Sequence, residues 1–268
     1  MSLSPKVLNF QLSIDDETMA SPVYAEAKQV AARALDSVMA RTDLGFTKLP
    51  FRESLLAAVE YRAREIARSS THMVVLGMGG SSLGGRALLG AVPKAPGRGT
   101  VTFIDNIDCD RFWAWLKAQT DLSMIHWVIV SKSGNTMETL AMADLVDQHL
   151  RVTGHRRLGS VSTAVSELKD NPLTAWARKE SVPVLEIPID VGGRFSVLSA
   201  VGLLPAVFSG LRLERMMVGA KYGLESREIV IGLTAQAMMS LEREEWITML
   251  WSYADGLREF GLWWQQLW

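Results

Sequence analysis

The fold is decided by the stretch MVVLGMGGSSLGG at residues 73–85. Its first four residues are apolar, as in a buried strand, and a glycine-rich turn follows at once. Two serines and a second pair of glycines then open a segment with helical periodicity. A strand that leads through a tight turn into a helix is typical of an α/β fold.

The same alternation continues along the chain. Short apolar runs bounded by Gly, Asp, Ser or Pro predict five strands, at Met73–Leu76, Val101–Ile104, Trp127–Val130, Leu158–Val161 and Val184–Ile187. Segments with helical periodicity separate them, at Ser82–Leu89, Asp110–Ala118 and Thr136–Val152. We therefore expect a doubly wound, parallel five-stranded sheet with helices on both faces. Ligands bind such sheets past the carboxyl ends of the strands, so the loops after Leu76 and Val130 are the places to search.

Helical patterns flank the predicted sheet on both sides. Residues 21–70 are mostly helical in pattern, and the pattern returns after Pro188, at Val197–Leu211, Glu225–Leu241 and Gly256–Trp268. We expect a helical amino-terminal extension at 1–70, a central α/β domain at 71–212 and a helical segment at 213–268.

Charge and composition exclude several classes of protein. The 28 Lys and Arg residues balance 29 Asp and Glu, which argues against a nucleic-acid track or an acidic membrane surface as partner. The single Cys109 excludes an internal disulfide, and the four histidines have no ligand spacing, so we expect no metal. Met1–Lys6 lacks the apolar core of a signal peptide, and Phe195–Leu211 contains too many Ser, Gly and Pro residues for a membrane span. The expected location is the cytoplasm.

The glycine turn at Gly77–Gly85 has the features of an anion site. Glycines let backbone N–H groups converge on an anion at the positive end of a helix. The turn is not a dinucleotide fingerprint, since Ser82 stands where the third glycine would be, and no P-loop Gly-Lys-Ser/Thr follows. The alternative is a purely structural turn, with Ser81 or Ser82 as the helix N-cap.

The second motif is SKSGNTMET at residues 131–139, again between a strand and a helix. Ser131, Ser133 and Thr136, with the free N–H groups of the first helical turn, would form a neutral, donor-rich cup for a phosphate monoester. A structural alternative is a capping box, with Asn135 as the N-cap and Glu138 three residues later.

The third motif is DVGGRFS at residues 190–196. Its two glycines allow close approach of the backbone, and the guanidinium of Arg194 can hold an oxyanion with a charge that never deprotonates. The alternative for Arg194 is a salt bridge to Asp190 or to another carboxylate.

Together these motifs resemble the sugar isomerase (SIS) family and, within it, the glucose-6-phosphate isomerases. GGRFS at 192–196 with AVGL at 200–203 matches a signature of that family, and LREF at 257–260 with WQQLW at 264–268 is similar to the segment that leads to its catalytic glutamate. The resemblance implies a flavodoxin-like SIS domain at 71–212. It also implies a glycolytic and gluconeogenic isomerase that interconverts glucose 6-phosphate and fructose 6-phosphate without a cofactor, as a homodimer when full-length.

The resemblance implies a role for eight residues. Arg194 would stabilise a cis-enediolate and Gln266 would hydrogen-bond near the reacting carbons. The sugar phosphate would be bound by Gly80, Ser81, Ser131, Lys132, Ser133 and Thr136. Ser133 departs from the family's usual Thr but keeps the hydroxyl.

The family's base is a glutamate four residues after the position of Gln266, which is two beyond Trp268, and a second SIS domain follows. We therefore expect this chain to be the amino-terminal portion of such an isomerase and to be inactive alone. The alternative is a non-catalytic SIS domain that senses phosphosugars, which would need neither the Gly-Gly-Arg signature nor the Gln-Gln-Leu-Trp segment.

Overall fold

The computed structural model describes residues 14–91, 97–119 and 121–268. Met1–Lys6, on which the expectation of no export rests, lies outside the described residues. The strands are β1 (His72–Leu76), β2 (Thr100–Ile104), β3 (Ile125–Val130), β4 (Ser162–Ser166) and β5 (Val184–Glu186). The α-helices are α1 (Asp16–Ala20), α2 (Pro22–Ala40), α3 (Glu53–Ala67), α4 (Leu83–Ala91), α5 (Cys109–Ala118), α6 (Met137–Val152), α7 (Pro172–Lys179), α8 (Ala200–Phe208), α9 (Leu213–Glu225), α10 (Arg227–Glu242) and α11 (Arg258–Leu267).

The five strands form one parallel sheet in the order β2-β1-β3-β4-β5. This is the order of flavodoxin-like doubly wound folds and confirms the predicted fold class. All six residues of β3 are buried, as are four of the five in β1. Strands covered on both faces need apolar side chains on both, which is why Met73–Leu76 of β1 and Trp127–Val130 of β3 appear as unbroken apolar runs in the sequence.

Helices pack on both faces of the sheet. On one face Trp127, Ile129 and Ala164 belong to a buried apolar cluster that also contains side chains of α5, α6 and α7. Their strand neighbours point to the other face, where Thr163 of β4 accepts a hydrogen bond from Arg62 of α3. The core therefore lies in two layers around the sheet.

The strand predicted at Leu158–Val161 is wrong. These residues form a short 3₁₀ turn, and β4 begins immediately after it at Ser162. Leu158 still enters the core, but it does so from a turn in which the Ser160 hydroxyl donates to the carbonyl of Arg157. The true strand, STAVS, was missed because three of its five residues carry hydroxyls although all five are buried.

Two helical predictions need smaller corrections. Val197–Leu211 divides at Ser199 into a 3₁₀ turn (Gly193–Leu198) and α8, because the Ser199 hydroxyl caps α8 by accepting from the N–H of Val201. Glu225–Leu241 corresponds mainly to α10, which begins after Ser226. No helix within the described ranges is long and apolar enough to cross a membrane.

The described residues fall into two compact units. One contains the residues up to Pro50 together with Glu214–Trp251, and the other contains Phe51–Leu213 with Ser252–Trp268. In the first unit, α2 and α10 bury Tyr24, Ala27, Ala31, Ile231, Ala235 and Met239 against one another. The second unit contains the sheet and every residue of the candidate site. The domain limits 1–70, 71–212 and 213–268 stay a prediction.

Candidate functional site at the carboxyl edge of the sheet

The chain leaves β1 toward β2 on one side and leaves β3 toward β4 on the other, so the sheet changes direction between β1 and β3. A crevice opens at such a switch point, outside the carboxyl ends of the two strands. The loops that follow them are neighbours, because a β-carbon on Gly77 would stand 3.2 Å from the β-carbon of Val130. The glycine turn and the hydroxyl motif therefore lie side by side.

The hydroxyl motif forms a compact cup at the start of α6. The Oγ of Ser131 lies 2.8 Å from Oγ1 of Thr136 and also accepts from the N–H of Thr136 at 3.4 Å. Ser131 is buried and Ser133 is exposed, with its Oγ accepting from the N–H of Asn135. The N–H groups of the first turn of α6 have no partner within the helix and point toward the same place.

The capping box predicted for this helix is wrong. The N-cap of α6 is Thr136, not Asn135, so Glu138 is the second helical residue and cannot complete the box. No side chain caps the helix, because the Thr136 hydroxyl turns to Ser131. The structural explanation for these polar residues is thus weaker than the sequence indicated.

The cup is held from behind by Asn171, which the sequence analysis did not select. Gly134 has a φ of +69°, and a β-carbon on it would overlap the Asn171 amide. Asn171 is the N-cap of α7 in a capping box with Thr174, and the N–H of Leu173 donates to the carbonyl of Gly134. The signal was present in the sequence, because Asn followed by Pro marks a helix start.

Lys132 points away from the hydroxyls of the cup toward a buried carboxylate. Its Nζ lies 3.3 Å from Oε1 of Glu167 and 3.4 Å from the carbonyl of Ile189. Burial opposes ionisation of Glu167, but hydrogen bonds from Lys169 and Lys132 outweigh it and lower the pKa of this carboxyl below its ordinary value. Lys132 is therefore partly neutralised in this state.

The third motif packs directly on the glycine turn. A β-carbon on Gly80 would stand 2.6 Å from the carbonyl oxygen of Gly193, so only a glycine permits this approach. Arg194 is exposed and makes no ion pair among the described residues. Asp190, the partner considered for it, pairs instead with Arg52, which immediately precedes α3.

Helix α11 brings Gln266 to the same turn. The Nε2 of Gln266 would stand 3.1 Å from a β-carbon on Gly79, and its Oε1 is buried without a hydrogen-bond partner in the described part of the chain. Trp263, one turn earlier, donates from Nε1 to the carbonyl of Arg194 at 3.2 Å. A buried acceptor without a donor is costly, so this atom is ready for a ligand hydroxyl.

An ion-pair network that the sequence analysis missed holds α11 in place. Arg86 of α4 donates from Nε to Glu259 at 2.8 Å and from NH1 to Asp105 at 3.0 Å. The Ser82 hydroxyl donates to the same Asp105 oxygen at 2.8 Å. No local pattern signals these partners, since Arg86 and Glu259 lie 173 residues apart.

The edge of the sheet thus gathers residues from all the predicted segments. It offers hydroxyls and helix N–H groups that suit an anion, a guanidinium with no ion pair in the described ranges, and the buried amide oxygen of Gln266. Among the described residues, no three His, Cys, Asp or Glu side chains are grouped so that they could hold a metal ion.

Comparison with known protein families matches residues 36–223 to the model of phosphoglucose isomerase. The chain is 33% identical to the glucose-6-phosphate isomerase of Carboxydothermus hydrogenoformans, over 91% of this chain and 56% of that protein. It is also 33% identical to the enzyme of the same name from Rubrobacter xylanophilus, over 84% of this chain and 55% of that protein. The chain spans a little over half the length of these relatives.

Solved structures agree on the fold. A hypothetical protein from Thermus thermophilus superposes with a TM-score of 0.80 at 29% identity, covering 91% of this chain and 59% of that one. A glucose-6-phosphate isomerase from Chlamydia trachomatis superposes with a TM-score of 0.76 over 94% of this chain and 56% of its own. At 20% identity, this second likeness concerns the fold alone.

Proposed function

Because this chain belongs to the phosphoglucose isomerase family, we propose that it supplies the phosphosugar-binding part of an isomerase that interconverts glucose 6-phosphate and fructose 6-phosphate. The observation that carries the proposal is the meeting of the hydroxyl cup, the glycine turn, Arg194 and Gln266 at one edge of the sheet. Each offers the kind of group that one end of an open-chain sugar phosphate requires.

The phosphate would lie in the cup formed by Ser131, Ser133 and Thr136. Its oxygens would accept hydrogen bonds from the hydroxyls and from the first N–H groups of α6, where the helix dipole adds to the attraction. Backbone approach at Gly80 and Ser81 would leave room for the sugar carbons. Lys132 would have to turn from Glu167, with which it pairs at 3.3 Å, to reach the phosphate.

Arg194 and Gln266 would act at the opposite end of the sugar. Isomerisation moves a proton between C1 and C2 through a cis-enediolate, whose negative charge develops only along the reaction path. The fixed charge of Arg194 would stabilise that oxygen. The unpartnered Oε1 of Gln266 would accept from a sugar hydroxyl near the reacting carbons.

We propose further that this chain by itself binds the sugar phosphate without isomerising it. Nearby carboxylates are already engaged: Asp190 with Arg52, Asp105 and Glu259 with Arg86, and Glu167 with two lysines. The glutamate that would act as base, four residues after Gln266, is not among these 268 residues. A positioned base contributes a factor of roughly 100 to 10,000.

Calorimetry with fructose 6-phosphate tests the binding site. We expect the double substitution Ser131→Ala/Thr136→Ala to weaken binding by about 2 to 4 kcal/mol, on the scale of two hydrogen bonds to a charged group. Thr153→Ala at the other end of α6 should leave the affinity unchanged. Unchanged affinity in the double variant would contradict the assignment.

A coupled assay of fructose 6-phosphate conversion tests the second part. This chain should be inactive beside a chain extended through the predicted second SIS domain. Comparable specific activity would show that the base lies elsewhere. A cytoplasmic location and a homodimer of the extended chain belong to the same proposal, and sedimentation of the extended chain tests the dimer.

A further inference from the structure

A small cavity lies at the amino-terminal edge of the sheet, opposite the candidate site. Its volume is about 120 Å³, and its lining comes from the end of α3 and the residues before β1, β3 and β4. His126 is the second residue of β3 and Ser131 follows the last, so at about 3.3 Å per residue the two sites lie roughly 16 Å apart. The cavity is therefore a separate place on the same sheet.

The cavity wall carries an uncompensated positive charge. Arg62, Arg156 and Glu65 are its charged residues. The carboxylate of Glu65 lies 3.2 Å from Arg62 and also accepts from the Tyr61 hydroxyl, so its charge is balanced. Arg156 makes no ion pair within the described ranges. Two guanidinium groups against one carboxylate leave a net positive wall.

A hydrogen-bond chain fixes the proton on the buried His126. Arg62 Nε donates to Oγ1 of Thr163 at 2.9 Å, and the same oxygen lies 2.8 Å from Nε2 of His126. Burial and the charge of Arg62 lower the pKa of His126 to about 3, so the ring is neutral near pH 7. The Thr163 hydroxyl accepts from Arg62, and among the described residues its proton has no acceptor other than Nε2 of His126. We therefore assign that proton to the bond with Nε2, which places the ring proton on Nδ1.

This assignment makes His126 a hydrogen-bond donor to the cavity. Its Nδ1 has no partner in the part of the chain that the structure describes, although the residue is only 5% exposed. Ser70, 7% exposed, contributes a hydroxyl to the same wall. Arg156, which is exposed, supplies the net positive charge at the edge of this cavity. Donors that face a cavity with a net positive wall favour an anionic partner.

We propose that this cavity binds a phosphate-type oxyanion through Arg156, His126 Nδ1–H and Ser70. The cavity is well below the roughly 300–1,000 Å³ of pockets that enclose larger ligands, which limits the ligand to an ion or to one phosphoryl group. A tetrahedral oxyanion presents acceptors in several directions at once and so matches donors that come from three separate elements. The inference does not depend on the proposed function.

Titration with inorganic phosphate tests the site. The experiment uses the Ser131→Ala/Thr136→Ala variant, so that phosphate binding in the hydroxyl cup is weakened and the same in every protein compared. Arg156→Gln in that background should weaken phosphate binding at least about tenfold, the loss expected for hydrogen bonds to a charged group. The matched control is Arg157→Gln, whose side chain pairs with Glu180 at 3.4 Å and does not line the cavity.

Nitrogen NMR of the histidine rings gives an independent measurement. His126 should be the Nδ1-protonated tautomer, and its Nδ1 signal should shift when phosphate is added. Comparable binding of glycerol 3-phosphate would identify the phosphoryl group as the feature recognised, whereas binding of inorganic phosphate alone would identify the free ion; both support the site. Equal affinities for the Arg156→Gln and Arg157→Gln variants, or no phosphate binding in their common background, would overturn it.

Discussion

The side-chain amide of Gln266 lies against the backbone of Gly79, so that Nε2 would be 3.1 Å from a β-carbon added to this glycine. Gly79 has a φ of +50°, a conformation in which other residues are strained. The contact joins the last helix of the chain to the glycine turn after β1. It places an amide beside the turn that is proposed to hold the sugar.

Gly79→Ala should separate sugar binding from phosphate binding. The new methyl group would displace Gln266, so affinity for fructose 6-phosphate should fall while affinity for inorganic phosphate in the hydroxyl cup stays the same. The positive φ should also cost about 1–2 kcal/mol of stability. Calorimetry with both ligands and thermal unfolding measure these effects.

Gly97→Ala is the control for the cost of the positive φ, because Gly97 has a φ of +75° and a β-carbon there would meet no atom of the described residues within 4 Å. It should show the stability loss without the binding loss. An equal loss of affinity for fructose 6-phosphate and for inorganic phosphate in Gly79→Ala would mean that the substitution distorts the whole carboxyl edge of the sheet.

Replacement of Arg194 should affect turnover more than affinity. In the extended, active chain, Arg194→Ala should lower kcat by about 100-fold or more while KM changes little, because enediolate charge exists only on the reaction path. Steady-state kinetics in both reaction directions measure this. If substrate affinity and kcat fall by the same factor, Arg194 instead binds the substrate in its ground state or supports the backbone of the loop.

Gly134→Ala should be strongly destabilising because Asn171 occupies the space of the new methyl group. We expect a loss of about 3 kcal/mol or more, from overpacking together with the positive φ. In an Asn171→Gly background the same substitution should cost only the φ term, about 1–2 kcal/mol. Denaturant unfolding of the four proteins gives the coupling energy.

Gly154→Ala provides the reference, since Gly154 has a φ of +73° and open space around it. Its cost should equal that of Gly134→Ala in the Asn171→Gly background. An unchanged cost of Gly134→Ala in the two backgrounds would show that Asn171 yields freely and does not brace the cup.

The buried His126 should make stability depend on pH. Its pKa is about 3 in the folded chain against 6.5 for an ordinary histidine. Between these values the unfolded state binds a proton that the folded state does not, so the stabilisation present above pH 6.5 is lost as the pH falls. As the pH falls below 6.5, the free energy of unfolding should decrease with a slope that approaches about 1.4 kcal/mol per pH unit.

His126→Gln should remove that contribution, because the amide does not titrate. Urea unfolding between pH 6.5 and 5, above the range of most carboxyl groups, measures the two slopes. The variant should be less stable at pH 7.5 but flatter in this window. Equal slopes of unfolding free energy against pH in the two proteins would mean that His126 is as easily protonated in the folded state as in the unfolded one.

Local sequence was sufficient to predict the fold class, four of the five strands and the two loops at the carboxyl edge of the sheet. The runs Met73–Leu76 in β1 and Trp127–Val130 in β3 are apolar without interruption because both faces of these strands are buried. The glycines and hydroxyls that follow them occur where strands give way to helices. Spacing and residue type alone therefore placed two loops at the carboxyl edge.

Only the tertiary structure decided which side chains form hydrogen bonds and ion pairs with one another. β4 was missed because its polar Thr163 is satisfied by Arg62 and His126, residues 101 and 37 positions away. Asp190 pairs with Arg52, 138 positions away, which leaves Arg194 without an ion pair among the described residues. Periodicity reports only which face of an element is buried, whereas hydrogen-bond partners depend on how distant elements pack. The sequence by itself thus determined the fold class and the loops at the carboxyl edge, and only packing decided β4 and the surroundings of Arg194, Gln266 and His126.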